Sequence, residues 1–401
     1  PLENENDNIR FFDHRREDAR TDWEHGGLPT EDWEALLFEA RTRADKAGYY
    51  RFAMPKELGG KDGSNLAMAV IREHLAAKGL GLHNDLQNEH SIVGNNVGVL
   101  LMAEYGSADQ KEEWLPLMLE GKRGFAFGIT EPAHGSDATH METNAVRDGD
   151  GWKINGAKTW NTGIHKAQYD MVMARTSGKA GDGDGITAFL TPLDAEGAKI
   201  EEYLWTFNMP TDHGTVSFKD VYVDNSAIFG EEGHGLQIVQ HFFNENRIRQ
   251  AASSLGAGQY CINESIRYAG ERKPFGKALS TNQGIQFPLV ELQTQAEMLR
   301  ALIQKTAWQM DKYGAFAVSD KVSMCNYWSN RFCCDAADRA MHVHGGLGYS
   351  RHKPFEHIYR HHRRYRITEG AEEIQMRRVA GYMFGYMNQQ APKGVKSVSG
   401  R

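Results

Sequence analysis

Downstream of Gly235 the apolar residues fall into four long stretches at helical spacing, from about Leu236 to Gly270, Asn282 to Tyr313, Ala317 to Val343 and Glu372 to Tyr386, with short breaks between them. Each apolar stripe must be covered, and long helices joined by short connections cover one another most simply by packing side by side. Residues 234–401 are therefore expected as a four-helix bundle. The first part of the chain shows the same period. Trp33, Leu36, Leu37, Ala40, Ala44 and Ala47 form one stripe between a capping Thr30 and Gly48, and Leu66, Ala67, Val70, Ile71 and Leu75 form another before Gly79. Val97 to Met102 make a third apolar face before Gly106, and Ser107 with Gln110 matches a capping box that opens a fourth helix towards Gly121. Residues 1–122 are expected as an N-terminal all-α domain.

Between these helical regions the period changes to two. Phe125 and Phe127 alternate with small residues, and strands are expected at Met171 to Ala174, Ile186 to Leu190, Thr215 to Phe218 and Val221 to Val223. Trp152 to Ile154 lead into Asn155-Gly156 and out along Lys158 to Trp160, a hairpin signal. The glycine-rich run Gly178 to Gly185 reads as a mobile surface loop, and it lacks the ordered ligand spacing and closing Glu of a calcium-binding EF-hand loop. Residues 123–233 are thus expected as a β-barrel or sandwich domain, making the chain α+β and multidomain.

The totals narrow the function classes. With 401 residues, 40% hydrophobic and 25% charged, the chain is long enough for about two or three domains with sizeable cores. A formal charge of -7 supplies no general basic field for nucleic acid, and no apolar run is long enough for a membrane span. Cys261, Cys325, Cys333 and Cys334 form no metal-binding pair, which points to reduced thiols and no metal site. The segment Pro1 to Arg20 is charged and resembles no secretory signal, so an intracellular, soluble protein is expected. That means cytoplasm if bacterial, and mitochondrial matrix or peroxisome if eukaryotic. The tail after Gln389 reads as disordered.

One stretch stands out chemically. Ile367 to Gln375 reads as a loop passing through Gly370 into the first turn of a helix, where Glu372 and Glu373 suit the helix dipole. Glu369 precedes the glycine, so its carboxylate can project from a loop end as a general base would. The basic run Arg360 to Arg366 just before it reads as a solvated or inter-subunit charged face.

Motifs carry the reading further. Phe127-Gly128-Ile129-Thr130-Glu131-Pro132-Ala133-His134-Gly135-Ser136-Asp137, followed by Ile154-Asn155-Gly156-Ala157-Lys158-Thr159-Trp160-Asn161-Thr162, resembles the paired β-domain signature of the acyl-CoA dehydrogenases. Arg272-Lys273-Pro274-Phe275-Gly276 with Gln283, then Gly345-Gly346-Leu347-Gly348-Tyr349, then Ile367-Thr368-Glu369-Gly370, resemble that family's other landmarks in its order, and the likeness spans about Gly79 to Tyr386. The resemblance implies a flavoprotein of fatty acid metabolism, a homotetramer or homodimer, with FAD at the junction of the β domain and the C-terminal bundle. The flavin would supply the redox chemistry and the protein its position and electrostatics.

By the same resemblance, Phe127, Ile129 and Thr130 would meet the isoalloxazine ring, Trp160 would cover it and Thr162 would lie near its N5. Arg272, Phe275 and Gln283 would hold the FAD diphosphate and ribityl chain from a neighbouring subunit, a planar guanidinium being suited to phosphate oxygens. Gly345 and Gly346 would let backbone approach the adenosine diphosphate half, with His342 standing where the family often has glutamine. Ala371 and Glu373 join this cofactor set. Ser136 would contact the CoA pantetheine arm, Asn244 and Arg247 the CoA amide and adenine end, and Gly370 the substrate. Asn244 replaces a common aspartate.

The implied reaction is α,β-dehydrogenation of an acyl-CoA to a trans-2-enoyl-CoA. Glu369 would take the α-proton and the β-hydrogen would pass as hydride to flavin N5, while the Glu369 N–H and a ribityl hydroxyl would donate to the thioester carbonyl. Some family members carry the base one residue before the arginine equivalent to Arg247, a position held here by Asn246, which cannot act as a carboxylate base. An electron-transferring flavoprotein is the expected electron acceptor. The alternatives are a flavin oxidase or other specialised reaction on the same scaffold and, in another class, a low-turnover flavin-containing binding protein. Gln87, Glu89 and His90 lie on a segment that in relatives helps to form the acyl pocket floor.

Overall fold

The computed structural model describes residues 2–13, 17–81 and 97–386. The segment with Gln87, Glu89 and His90 and the tail after Gln389 lie outside the described residues. Helical N- and C-terminal parts flank a middle part built on a sheet. The early helices are α1 (Glu31–Lys46), α2 (Asn65–Ala76), α3 (Val97–Tyr105) and α4 (Ala108–Leu119). The late ones are α5 (Gly235–Glu271), α6 (Gln283–Tyr313), α7 (Ser319–His344), α8 (Gly346–Tyr349), α9 (Phe355–Arg364) and α10 (Glu372–Phe384). A short pair, β1 (Thr21–Asp22) and β2 (Leu28–Pro29), precedes β3 (Phe125–Gly128), β4 (Asn144–Asp148), β5 (Gly151–Thr162), β6 (Tyr169–Arg175), β7 (Ile186–Pro192), β8 (Ala198–Tyr203), β9 (His213–Asp224) and β10 (Ile228–Phe229).

By compactness the chain divides into two units, each with its own core. The first comprises Pro1–Arg20, Glu31–Asn95 and Phe243–Arg401; the second comprises Thr21–Thr30 and Asn96–Phe242. In the helical unit, α5, α6, α7 and α9 meet in a core that includes Leu255, Ile262, Ala296, Ile303, Val322, Phe332 and Phe355. In the sheet unit, β3 to β10 form one eight-stranded sheet of order β10-β7-β6-β4-β5-β9-β8, with β3 parallel to β6. Its core is built on Trp152, Ile154, Val172, Phe189, Val216 and Phe218. No described helix is long and apolar enough to cross a membrane.

Local signals hold where a side chain satisfies backbone near it in sequence. The capping box forms: Ser107 Oγ accepts from Gln110 N at 3.1 Å and Gln110 Oε1 from Ser107 N at 3.0 Å. Such a cap stabilises a helix start by about 1 kcal/mol. The Asn155-Gly156 hairpin does not form. Instead β5 runs straight through it with a bulge against β9, and Asn155 spends both ends of its amide on Asp220. The tight turn lies earlier, between the paired residues Asp148 and Gly151. Gly156 is required because a Cβ there would come within 2.4 Å of Thr143 Oγ1. The glycine-rich surface loop is fastened at its base by one side chain. Arg175 Nη2 donates to Thr139 O at 2.6 Å and Asp182 O at 3.2 Å, and Nη1 to Ser177 O at 3.3 Å and Asp184 O at 3.4 Å.

Candidate active site

The loop between α9 and α10 brings Glu369 to its place in the helical unit. Glu369 and Gly370 are consecutive left-handed residues, with φ of 55° and 92°. For a glutamate this backbone costs about 1–2 kcal/mol, so neighbours must hold it. Arg247 on α5 does so: its Nε donates to the Glu369 carbonyl at 3.1 Å and its Nη2 donates to the same oxygen. Gln375 on α10 donates through Nε2 to the Gly370 carbonyl at 2.9 Å. A Cβ at position 370 would sit 2.9 Å from Arg247 Nη2, so the left-handed φ and the guanidinium both demand glycine there. The carboxylate itself is fixed separately, Oε1 accepting from Asn246 Nδ2 at 3.1 Å.

Arg247 is only 3% exposed, and Nη1 has no hydrogen-bond partner among the described residues. Burial, reinforced by Arg378, brings its guanidinium down to about 9, against the opposing pull of Glu369. A buried cation of this kind grips carbonyls strongly because no water competes for its protons.

Behind the loop lies an amide ladder that hydrophobic periodicity does not reveal. Asn326 on α7, fully buried, uses all four of its hydrogen-bonding positions. Nδ2 donates to Arg247 O and Gln250 Oε1, both at 3.0 Å; Oδ1 accepts from Asn330 Nδ2 at 3.1 Å and Gln375 Nε2 at 2.9 Å. Asn330 reaches on to the Tyr365 carbonyl at 3.2 Å, and Ser254 Oγ joins Asn330 Oδ1 at 2.6 Å to His362 Nδ1 at 2.8 Å. One asparagine thus ties α5, α7, α10 and the Glu369 loop together. The signal was present in the sequence as polar residues at stripe positions of α7, four apart.

The basic run before Glu369 is not simply a charged face. His361 and His362 lie on the buried side of α9 with Phe355 and Ile358. Burial, then Arg364, drives both imidazoles below their ordinary range, His362 to about 3, so they are neutral core groups. Of the acids at the start of α10, Glu373 is exposed, whereas Glu372 is buried between Arg331, at 2.8 Å, and Arg366, at 2.9 Å. The hydrogen bond from Arg331, helped by Arg366, outweighs burial and brings Glu372 to about 2. Ala371 caps the helix, its carbonyl accepting from Ile374 N and Gln375 N.

Other expected site residues of this unit lie apart from Glu369 in role. Asn244 is fully buried and its Oδ1 accepts from Ser319 Oγ at 2.8 Å, so its side chain serves α7. Arg272, Phe275 and Gln283 are all exposed in the α5–α6 connection and the first turn of α6. Phe275 is wholly exposed and left-handed, with φ of 55°. At the end of α7, His342 is exposed, and a Cβ on Gly345 or Gly346 would meet nothing within 4 Å.

In the sheet unit, Phe127 stacks on Phe242 at 4.4 Å. Thr130 O accepts from Thr159 N at 2.9 Å, and Ile129 O accepts from Lys158 Nζ at 3.2 Å, so the segment after β3 is pinned to β5. Trp160 is 50% exposed with φ of 63°, at a register shift of β5, and Thr162 and Ser136 are exposed. Beneath these strands sits a buried charged cluster: Lys158 pairs with Glu131 at 2.8 Å, and Asn161 Nδ2 donates to Asp170. Gly128 leaves room for Asp170, whose Oδ2 would lie 2.7 Å from a Cβ there.

Each unit thus offers surface suited to a flavin dinucleotide. The sheet unit presents an open indole with hydroxyl groups beside it. The helical unit presents exposed Arg272, Phe275 and Gln283 and, separately, glycine backbone open to close approach. These are the group types that a planar ring and a diphosphate require.

Comparison with known proteins agrees with this chemistry. Family models described as the N-terminal, middle and C-terminal domains of acyl-CoA dehydrogenase match residues 9–122, 126–221 and 233–384. A subunit of the caffeyl-CoA reductase-Etf complex of Acetobacterium woodii is 31% identical over 84% of this chain and 87% of its own length. The mitochondrial short-chain specific acyl-CoA dehydrogenase of Homo sapiens is 30% identical over 86% of this chain and 83% of its own. The crystal structure of an acyl-CoA dehydrogenase from Geobacillus kaustophilus aligns with TM-score 0.75 at 25% identity, covering 95% of this chain and 98% of that one.

Proposed function

Since the chain belongs to the acyl-CoA dehydrogenase family of FAD-dependent oxidoreductases, we propose that it interconverts an acyl-CoA thioester and its trans-2-enoyl-CoA, with Glu369 as the α-proton base. The observation that carries the assignment is the anchoring of Glu369. Its strained backbone is gripped by a buried arginine and a buried glutamine, while a third side chain directs the carboxylate. Such over-determination of a strained residue belongs to sites that need one geometry.

When bound, the flavin supplies the two-electron chemistry, taking up the hydrogen that leaves the β-carbon with its electron pair. Glu369 accepts the α-proton, and its backbone N–H donates to the thioester carbonyl as enolate-like charge develops there. A donor preorganised in this way contributes about 3 kcal/mol or more to lowering the barrier. We assign Phe127, Ile129, Thr130, Trp160 and Thr162 to the ring, and His342, Gly345, Gly346, Ala371 and Glu373 to the rest of the cofactor. Arg272, Phe275 and Gln283 complete it from a second copy, in a tetramer of the kind typical of the family. The full exposure of Phe275 leaves its ring available to another chain. Ser136 and Gly370 are assigned to substrate. For Arg247 and Asn244, burial favours supporting roles over direct contact with CoA.

The relative from Acetobacterium woodii is named as a reductase in a complex with Etf. That name supports an electron-transferring flavoprotein as partner and favours, as a second reading, operation in the direction of enoyl reduction. The test is anaerobic titration of the purified holoenzyme with a series of acyl-CoA and enoyl-CoA thioesters, following the oxidised flavin band. Bleaching by acyl-CoA supports dehydrogenation. Faster return of colour with enoyl-CoA after chemical reduction supports the reductive direction, and no response to either rejects the assignment. Glu369→Gln is expected to retain FAD and ligand while losing at least about a hundredfold in the rate of bleaching.

A further inference from the structure

We propose that Asn246 is the positioning residue that sets the direction and the basicity of the Glu369 carboxylate, a task separate from the anchoring of its backbone. The inference rests on Glu369 being the base and asks what makes it an effective one. Two adjacent residues of α5 divide the work. Arg247 reaches the main-chain carbonyl of Glu369, whereas Asn246 reaches carboxylate Oε1 at 3.1 Å. Gln375, backed by Asn326, holds the next carbonyl at 2.9 Å. The loop therefore keeps its anchors when Asn246 is changed. A glutamate side chain has three rotatable bonds, and on a fixed backbone the Asn246 amide is a contact that directs its carboxylate.

The amide is chemically suited to the task. As a neutral donor it favours the ionised carboxylate mildly, whereas a cation in its place would weaken the base by about 1–3 pH units and a second carboxylate would compete for the same proton. Arg247 on α5 and Glu369 act electrostatically on one another, and Arg378 on α10 acts on Arg247. Glu372, next along the chain, is committed to Arg331 and Arg366. None of these changes when Asn246 is replaced, so a shift in the pH profile belongs to the lost amide.

The test uses FAD-loaded enzyme and stopped-flow bleaching by a substrate thioester, with Asn246→Ala, Asn246→Asp, Asn246→Thr and Glu369→Gln compared across pH. In Asn246→Ala the limiting rate is expected to fall by about tenfold, as befits loss of alignment rather than loss of the base. Its acid limb should move up by about half to one pH unit, the scale of one lost neutral hydrogen bond. Asn246→Asp should move the limb further in the same direction, and Asn246→Thr should restore part of the shift because its hydroxyl can still donate. FAD content, thioester binding and melting temperature should stay near those of the parent. An unchanged rate and acid limb in Asn246→Ala, beside a crippled Glu369→Gln, overturns this proposal alone. Equal loss of FAD, fold and rate also overturns it, by showing a structural tether. Normal bleaching by Glu369→Gln removes the base assignment and this proposal with it.

Discussion

The two units bury polar groups beneath the residues assigned to chemistry, and they do so with different emphasis. The sheet unit uses charge: a fully buried Lys158 meets Glu131, with Asp170 close by in the same interior. Behind the Glu369 loop the helical unit adds neutral amides to the buried Arg247, with Asn326 at the centre and Gln250, Asn330 and Gln375 around it. Charges hold the loop after β3 because Lys158 must neutralise Glu131 while also reaching the Ile129 carbonyl. Burial lowers Lys158 and Glu131 opposes that; for Glu131, burial pulls upward, but Lys158 and hydrogen bonds from Glu142 and Thr143 leave it below the usual carboxylate range. The amide ladder has no such dependence on ionisation. Each amide is both donor and acceptor, so one side chain can fasten three helices without a compensating counter-ion.

The comparison can be broken most severely in the sheet unit. Lys158→Met should destabilise the protein by about 3–5 kcal/mol, because Glu131 is left as an uncompensated buried charge, whereas the double variant Lys158→Met/Glu131→Leu should recover much of the loss. Denaturant unfolding reads both, and an additive double variant would refute the pairing. Next in size, Asn326→Leu should cost about 2–4 kcal/mol through the unpaired groups it leaves on Gln250, Asn330, Gln375 and Arg247. It should also slow flavin bleaching, since both backbone anchors of the Glu369 loop lose their support. Retention of parental rate in a folded Asn326→Leu would separate the ladder from the site.

A further contrast between the units is one of sign. Burial raises Asp170 to about 7, against the opposing pull of Lys158 and Asn161. A carboxyl group raised in the folded state contributes stability that is complete below its unfolded value, about 3.8, and is lost as pH rises through about 7. His362 is lowered to about 3, so its contribution is present above its ordinary value of 6.5 and is lost as pH falls towards 3. Hydrogen exchange should therefore show the sheet around β6 loosening between about pH 4 and 7 and the helical core around α9 loosening from about 6.5 downwards. Asp170→Asn should flatten the first dependence and leave the second, and an unchanged slope in that variant would exclude Asp170 as its source.

Much of this was legible in the residues. Period alone located α1 to α3, α5 to α7, α10 and the main strands, since amphipathic stripes depend on spacing that any tertiary arrangement must respect. The capping box at Ser107 and the unusual backbone at Gly370 were likewise local, whereas the left-handed φ of Glu369 was not anticipated. Asn155-Gly156 misled because a dipeptide able to turn is also able to bulge, and only pairing with Asp220 selects the bulge. α9 was hidden by its own arginines and histidines, whose apolar-facing members become neutral only once the core encloses them. Asn246 was recognised as a position without a base, but not as the partner of one.

What the sequence determined by itself, then, was the alternation of helical and extended segments, the family landmarks and the candidate base, because these depend on spacing and on residues a few positions apart. Tertiary structure decided which polar side chains became interior scaffolding: Asn246 lies 123 positions from Glu369 in the chain, and Asn326 lies 49 from Gln375. Hydrogen-bond partners so distant carry no local period. Their meaning arises only when folding removes water and leaves each donor a single acceptor to find.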